Sequence, residues 1–204
     1  MAEREKKMPT RERILEKALT LFAERGYNGT GVDLIAERVG IKGPSLYKHF
    51  KGKEDILNTL IDRAEERYNA TFGTAENLGP IPKSKEEFIR NALERIEFSM
   101  KDPMIRRIRI FLVQEQFRNE RLAKITTSHQ LDGLQRMYTK LISKMMENGL
   151  VKKDDPAMLA METTAPVVVM IAKADRQPEY QSELLGDIER YLRHFCDEYM
   201  DCNP

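Results

Sequence analysis

The chain has 204 residues, of which 41% are hydrophobic and 33% are charged, and its formal net charge is +1. This composition is typical of a soluble globular protein rather than a disordered one, and the length suffices for a core without metal or disulfide staples. The charge is uneven, because residues 1–53 hold 12 Lys and Arg against 7 Asp and Glu, whereas the remainder is net acidic. The N-terminal part is therefore suited to meet phosphates, and indiscriminate coating of DNA is not expected.

No segment of the sequence resembles an export signal or a membrane span. Residues 1–10 are mostly charged and lack the apolar core of a signal peptide. The longest apolar run, residues 165–172, is far shorter than the ~20 residues that a spanning helix needs. Cys196 and Cys202 lack metal-ligand spacing and are expected to be reduced thiols. We therefore expect a cytoplasmic protein with no membrane partner, no metal site and no cofactor.

The N-terminal part of the chain shows helical periodicity. Apolar residues recur at three- and four-residue steps in two stripes: Ile14, Leu15, Ala18, Leu19 and Phe22, then Val32, Ile35, Ala36 and Val39. Thr10 is the predicted N-cap of the first helix, and Gly26 is its predicted C-terminal stop. Thr30 followed by Asp33 predicts a capping box at the start of a second helix, which Gly40 closes.

A third, short helix is predicted to begin at Pro44, since proline is tolerated in a first turn where its missing amide has no partner. Leu46 and Phe50 form its inward-facing pair. A fourth helix follows at residues 53–72. Two short helices separated by a glycine turn have the layout of a helix-turn-helix, whose second helix enters the major groove of DNA.

The rest of the chain is predicted to be helical after a loop at residues 73–83, where glycine and proline concentrate. Valines at positions 167–169 favour a strand locally, but the flanking Met, Leu and Ala residues favour a buried helix. No alternation of period two is long enough to build a sheet. The prediction is an all-α fold of about nine helices, the last five at residues 84–100, 103–117, 119–148, 156–174 and 181–200.

The helix-turn-helix segment also resembles a known family. Residues 40–57, GIKGPSLYKHFKGKEDIL, resemble the signature of the TetR family of transcription regulators, loosely G-V-S-x-x-x-[LI]-Y-x-H-F-x-x-K-E-x-L. Residues 13–15, 22–27 and 30–36 resemble the first two helices of that family. The resemblance covers residues 10–57, about a quarter of the chain, and it agrees at many separate points.

The resemblance implies a set of DNA contacts around the second and third helices: Thr30, Lys42, Gly43, Pro44, Ser45, Tyr47, Lys48, His49 and Lys53. Tyr47, His49 and Lys53 would contact phosphates, and Thr30 would lie close to the DNA backbone. The residues at the start of the third helix would face base edges. The chain departs from the family at Lys42, where a Ser or Thr usually caps the third helix.

The resemblance further implies a homodimer, because two recognition helices on a palindrome require two-fold symmetry. The last helix has a broad apolar stripe: Leu184, Ile188, Tyr191, Leu192, Phe195 and Tyr199. Residues 156–172 are apolar almost all round, so the chain alone offers them little cover. In the family, the corresponding two helices pack against their copies. The alternative is that the stripe serves only the chain's own core.

The middle helices would then enclose a ligand pocket. Its candidate lining residues are Met100, Met104, Ile108, Phe111, Glu115, His129, Tyr138, Met161 and Glu162. Methionine adapts to irregular shapes, and Glu115 and Glu162 interrupt apolar stripes. A buried acid needs a partner, which would be an arginine or a cationic ligand. The expected effector is a small apolar or cationic molecule.

Together these features predict an N-terminal three-helix DNA-binding domain at residues 1–53 and a helical ligand-binding and dimerisation domain at residues 54–204. No nucleophile elbow, paired metal ligands or phosphate loop occurs, so an enzyme is not expected. The predicted function is a sequence-specific transcriptional repressor, released from a palindromic operator on double-stranded DNA by a small ligand. The alternative is a ligand-independent DNA-organising or cell-division platform protein of the same fold.

Overall fold

A computed structural model describes residues 8–200 of the chain, and within them regular structure is helical apart from one antiparallel bridge between Val151 and Met200. The α-helices are α1 (Thr10–Arg25), α2 (Val32–Val39), α3 (Gly43–Leu46), α4 (Lys53–Phe72), α5 (Lys85–Lys101), α6 (Pro103–Glu115), α7 (Glu120–Thr127), α8 (Gly133–Glu147), α9 (Pro156–Arg176) and α10 (Gln181–Tyr199). A π-helical turn, Ser128–Asp132, continues α7 into α8, and a 3-10 turn, Pro178–Tyr180, precedes α10. The predicted all-α fold is confirmed.

Two of the predicted helix stops are confirmed. Gly26 follows α1 at φ 72°, and its amide donates to the carbonyl oxygen of Phe22. Gly40 follows α2 in the left-handed region at φ 78°, with its amide bonded to the carbonyls of that helix's last turn. Only glycine adopts such dihedrals without a steric cost to a Cβ atom, so both residues end their helices for a local reason.

Two of the predicted helix starts are wrong. Thr10 is the first residue of α1 rather than its N-cap. The N-cap of α2 is Gly31, and no capping box forms there, because the Thr30 hydroxyl donates instead to the carbonyl oxygens of Leu21 and Gly26. Thr30 thereby joins the end of α1 to the start of α2, a tertiary role that the capping pattern does not encode.

The first compact unit comprises residues 8–67 and 107–123 of the described chain. Its core is built from the apolar faces of α1, α2 and α6 and the first half of α4. The ring of Phe22 lies 5.5 Å from that of Phe111 and 5.6 Å from that of Tyr27, centroid to centroid. This unit is defined by packing, so the functional division after residue 53 stays a prediction.

The second unit comprises residues 68–106 and 124–200, with a core formed by α5, α8, α9 and α10. Four members of the predicted dimer stripe are buried in this core: Leu184, Ile188, Leu192 and Phe195. Their assignment to an interface between copies is therefore wrong. An apolar stripe shows that one face of a helix is covered, but it does not show by what.

Helix α9 retains an uncovered apolar face. Met158, Met161, Ala165 and Val169 follow one another at steps of three and four residues, and all four are exposed, Val169 by 68%. We call these residues the α9 stripe. By length and composition alone, α9 could cross a membrane, a test that core helices of soluble proteins also pass. The sequence-based argument missed this because it counted only uninterrupted apolar residues.

Candidate functional site

The turn between α2 and α3 sets the geometry of the candidate DNA-binding surface. Gly40 reverses the chain, and the amide of Ile41 donates to the carbonyl oxygen of Ala36. Helix α3 is a single turn, and a helix so short is not stable alone. Leu46 and Phe50 are buried and fix it to the core of the first unit, as predicted. The side chains between these two anchors are left on the outside.

Most of the predicted DNA-contacting residues are accessible on this surface. Five are exposed: Lys42, Pro44, Tyr47, Lys48 and His49. Gly43, Ser45 and Lys53 are half-buried. Tyr47 as a whole residue is 58% exposed although its side chain is large and partly apolar, which is unusual for a residue with a purely structural role.

Thr30 departs from this pattern. It is fully buried at 0% exposure, and its hydroxyl is already bonded to two backbone carbonyls. The hydroxyl therefore does not reach the surface on which DNA is predicted to bind, and the expected role of Thr30 beside the DNA backbone needs correction. The residue positions α2 from within.

Lys53, the first residue of α4, is held in place by Tyr27. Its Nζ atom donates to the carbonyl oxygen of Tyr27 at 2.9 Å and lies 4.3 Å from the centroid of the Tyr27 ring. An ammonium has three donors, so this arrangement leaves capacity for an anion. Burial, with the nearby Glu54 carboxylate, raises the pKa of Tyr27, so this ring stays neutral beneath the cation.

Two arginines of α1 support the helix-turn-helix and were missed in the sequence. The guanidinium carbon of Arg11 lies 4.7 Å from the ring centroid of Phe50, and Arg13 donates to the carbonyl oxygen of Val39 at the end of α2. Helical periodicity treats such residues as a solvated face, so nothing in the pattern distinguished them.

The predicted ligand-pocket residues are divided between the two units. Ile108, Phe111 and Glu115 are buried in the first unit, whereas Met100 and Tyr138 are buried in the second, to which the half-buried Met104 also belongs. His129, Met161 and Glu162 are exposed, and their role in binding a ligand stays a prediction. Helical phase places residues on a face, but the neighbour that covers this face depends on the tertiary fold.

Aromatic side chains of the second unit form a cluster that only partly overlaps the prediction. The ring of Phe72 lies 5.1 Å from that of Tyr68 and 5.2 Å from that of Phe98. The guanidinium carbon of Arg95 lies 5.3 Å from the Phe72 centroid, and Arg95 Nη1 lies 3.6 Å from the sulfur of Met137. We call these five residues and the neighbouring Tyr138 the Arg95 cluster.

The π-helical turn between α7 and α8 contains a second unusual group. The side-chain nitrogen of Gln130, Nε2, is buried and has no hydrogen-bond acceptor among the residues described. π-turns occur often at functional sites, and a buried unsatisfied donor calls for an explanation. Neither feature is visible in the sequence, where residues 119–148 form one continuous helical pattern.

Known proteins resemble this chain both locally and along most of its length. The family model described as bacterial regulatory proteins, tetR family, matches residues 14–60. The negative transcriptional regulator IcaR of the biofilm operon icaADBC in Staphylococcus aureus is 26% identical over 196 residues, which cover 92% of this chain and 94% of that protein. The IcaR protein of Staphylococcus epidermidis is 42% identical over 52 residues, 26% of this chain and 28% of that protein.

Solved structures share the fold. The complex of SmeT with triclosan superposes with a TM-score of 0.76 at 19% identity, covering 95% of this chain and 93% of SmeT. SmeT is the repressor of a multidrug efflux pump of Stenotrophomonas maltophilia. A transcriptional regulator from Aquifex aeolicus superposes with a TM-score of 0.72 at 21% identity, covering 91% and 99% of the two chains. The likeness therefore extends well beyond the helix-turn-helix.

Proposed function

We propose that this chain is a regulator of the TetR family, whose model matches residues 14–60, and that it represses transcription as a homodimer that a small apolar effector releases from a palindromic operator. DNA binding is assigned to residues 1–53, and dimerisation and effector binding to residues 54–204. The family is one of transcription regulators, and binding rather than catalysis accounts for the groups on the candidate surface. Such a protein acts in the cytoplasm, where its operator is.

A single observation supports DNA recognition most strongly: the segment 42–50 around the one-turn helix α3 is anchored by Leu46 and Phe50 and exposes cations and a phenol between and beside these anchors. Lys48 is suited to phosphate oxygens, as is the hydroxyl of Tyr47. Lys42 and Pro44, at the start of the helix, occupy positions from which a recognition helix contacts base edges. The groups on this surface match the chemistry of a duplex.

The α9 stripe is the proposed dimer interface. Its four apolar side chains are exposed in the single chain, and burial of such a surface is favourable. A helix face that packs against its own copy forms a two-fold symmetric contact, which a palindromic operator requires. This assignment replaces the buried residues of α10, which the chain uses for its own core.

Two relatives support repression and its release. IcaR is a negative regulator, and SmeT, a repressor, is seen in complex with triclosan, a small molecule. We infer that this chain likewise responds to a small molecule bound by its second unit. An effector lowers operator affinity only by its differential affinity for the released and the DNA-bound states.

The experiment that tests DNA recognition is selection of duplexes from a random pool by the purified full chain at near-physiological salt. We expect enrichment of one palindrome, and loss of that enrichment in a Tyr47→Ala, Lys48→Ala double variant. The control is Lys153→Ala, which changes an exposed lysine on the loop before α9. This variant should select the same palindrome as the parent protein. Binding with no consensus would contradict the proposal and favour a platform protein instead.

A further inference from the structure

Arg95 occupies an unusual environment in the second unit. It projects from α5, is half-buried, and its contacts are with the Phe72 ring, the Tyr68 phenol and the sulfur of Met137. Within residues 8–200, no carboxylate lies within salt-bridge distance of it. A thioether sulfur is a weak hydrogen-bond acceptor, and an aromatic face carries only a diffuse partial negative charge. These contacts therefore compensate the charge of the guanidinium poorly.

Other arginines of the protein show the common solution. Arg63 pairs with Glu12 at 2.5 Å, and Arg106 pairs with Asp175 at 3.3 Å. Both arginine side chains are about one-third exposed, and each keeps a carboxylate as its counter-ion. Removing a cation from water is costly unless an anion accompanies it. Arg95 therefore has spare capacity for an anion that the described residues do not supply.

The phenols of the Arg95 cluster do not provide the missing charge. Burial raises the pKa of Tyr68, against the opposing effect of the Arg95 charge and hydrogen bond. Burial also raises the pKa of Tyr138, and the neighbouring Tyr68 adds to this increase. Both hydroxyls are thus neutral at physiological pH, and the cluster keeps the positive charge of Arg95.

We propose that the Arg95 cluster binds an anionic effector, an apolar molecule whose single carboxylate or equivalent anion meets Arg95 while its body packs on the rings of Phe72 and Phe98. The guanidinium fork matches a carboxylate in two parallel hydrogen bonds. The two rings, 5.2 Å apart and nearly perpendicular, offer a face and an edge to an apolar body. This inference rests on the proposed effector-controlled function and names the chemistry of its ligand.

The same geometry argues against the cationic effector predicted from the acids. Glu115 lies in the first unit, and Glu162 is exposed on α9. Neither acid belongs to the Arg95 cluster. Gln130, on the helical run that also carries Met137 and Tyr138, contributes a buried side-chain donor that has no acceptor among the described residues. Arg95 and Gln130 both offer hydrogen-bond donors, so both favour a ligand that accepts hydrogen bonds.

The test compares probes that differ only in charge. Octanoate, octanol and octylammonium form one series, and naphthoate, naphthylmethanol and naphthylmethylammonium form another. Dissociation constants are measured by calorimetry on the full chain, its Arg95→Gln variant and its Arg90→Gln variant, in which an exposed arginine of the same helix is changed. We expect at least one carboxylate to bind roughly 10- to 100-fold more tightly than its alcohol, the range of a charge-assisted hydrogen bond.

Arg95→Gln should lose this preference, and Arg90→Gln should retain it. Arg95→Lys keeps the positive charge but not the paired donors of a guanidinium, so it should retain part of the preference for the carboxylate. If circular dichroism shows that the Arg95→Gln variant is unfolded, Arg95→Lys takes its place in the comparison. Equal or tighter binding of the alcohols or ammonium ions, or no binding of any probe, overturns the inference. So does a carboxylate that binds without weakening operator affinity. Selection of a palindrome by the same samples shows independently whether the proposed repressor function holds.

Discussion

Glu12 and Arg63 form a two-pronged ion pair that joins α1 to α4 within the first unit. Arg63 Nη1 lies 2.5 Å from Glu12 Oε2, and Nη2 lies 2.7 Å from Oε1. The two parallel hydrogen bonds fix the direction of both side chains. The pair thereby sets the position of α4 against α1.

This pair should make the stability of the protein depend on acidity. The Arg63 hydrogen bond lowers the pKa of Glu12 below its ordinary 4.5, so the stabilisation is present above that value and is lost as the pH falls through the lower folded-state pKa. Both side chains are about one-third exposed, and water screens them. We expect Glu12→Gln to reduce the free energy of unfolding by about 0.5–1 kcal/mol at pH 7, measured by urea denaturation.

Below pH 4.5, the cost of the same substitution should shrink as the pH falls, because protonation of Glu12 in the folded state removes the charge that meets Arg63. Glu24→Gln is the matched control, since Glu24 meets Arg38 only at 3.9 Å and on the surface. An equal cost for both substitutions, or a Glu12→Gln cost that does not change with pH, would contradict this account.

Lys48 and Lys53 should differ in what their loss affects. Lys48 is exposed, so Lys48→Met should leave the free energy of unfolding unchanged. It should reduce the slope of log affinity against log salt by about 2 for the dimer, about 1 for each protomer. Lys53→Met also removes the contact with the Tyr27 ring, so it should additionally cost about 0.5–1 kcal/mol of stability. Filter binding across salt concentrations and urea denaturation measure the two effects. If Lys53→Met is as stable as the parent, the ring contact contributes nothing.

Gly26 should not tolerate a side chain. Its φ of 72° disfavours a Cβ atom, which would also lie 2.7 Å from Oε1 of the buried Glu115. Gly26→Ala should therefore reduce the free energy of unfolding by about 1–3 kcal/mol. Gly31→Ser is the control, because a Cβ there meets nothing within 4 Å and serine is a good N-cap for α2. A neutral Gly26→Ala variant would show that the backbone relaxes at this position.

The α9 stripe should decide the oligomeric state. Val169→Glu places a charge in the proposed interface, and we expect a monomer by analytical ultracentrifugation because a desolvated, unpaired carboxylate is costly. Phe117→Glu introduces the same charge at a residue that is 90% exposed, in the turn after α6, and should remain dimeric. A dimeric Val169→Glu variant would place the interface elsewhere on the chain.

Features set by the local backbone were predictable from the sequence. Gly26 and Gly40 end their helices where the apolar stripes stop, and Pro44 lies in the first turn of α3, one residue after the helix begins. Leu46 and Phe50 are buried where the short third helix must be anchored. In each case the controlling interaction spans a few residues, so spacing and residue type suffice to identify it.

Features set by packing between distant segments were not predictable. Ile188 and Leu192 have the pattern of an interface stripe, but α5 and α9 of the same chain cover them. Arg95 looks like an ordinary surface arginine in sequence, because its contacts come from other helices, Phe72 on α4 and Met137 on α8. Periodicity gives the face on which a residue lies, and only the fold gives its neighbours.

The anchoring of α3 separates two kinds of change over evolution. Its fold depends on Leu46 and Phe50, whereas the residues between them contribute little to the core. A gene duplicate can therefore vary the exposed Lys42 and Pro44, at the positions proposed to face base edges, while the protein still folds, and each variant explores a different operator. One fold of this kind can therefore give a genome many regulators, each of which binds its own operator and not the operators of the others.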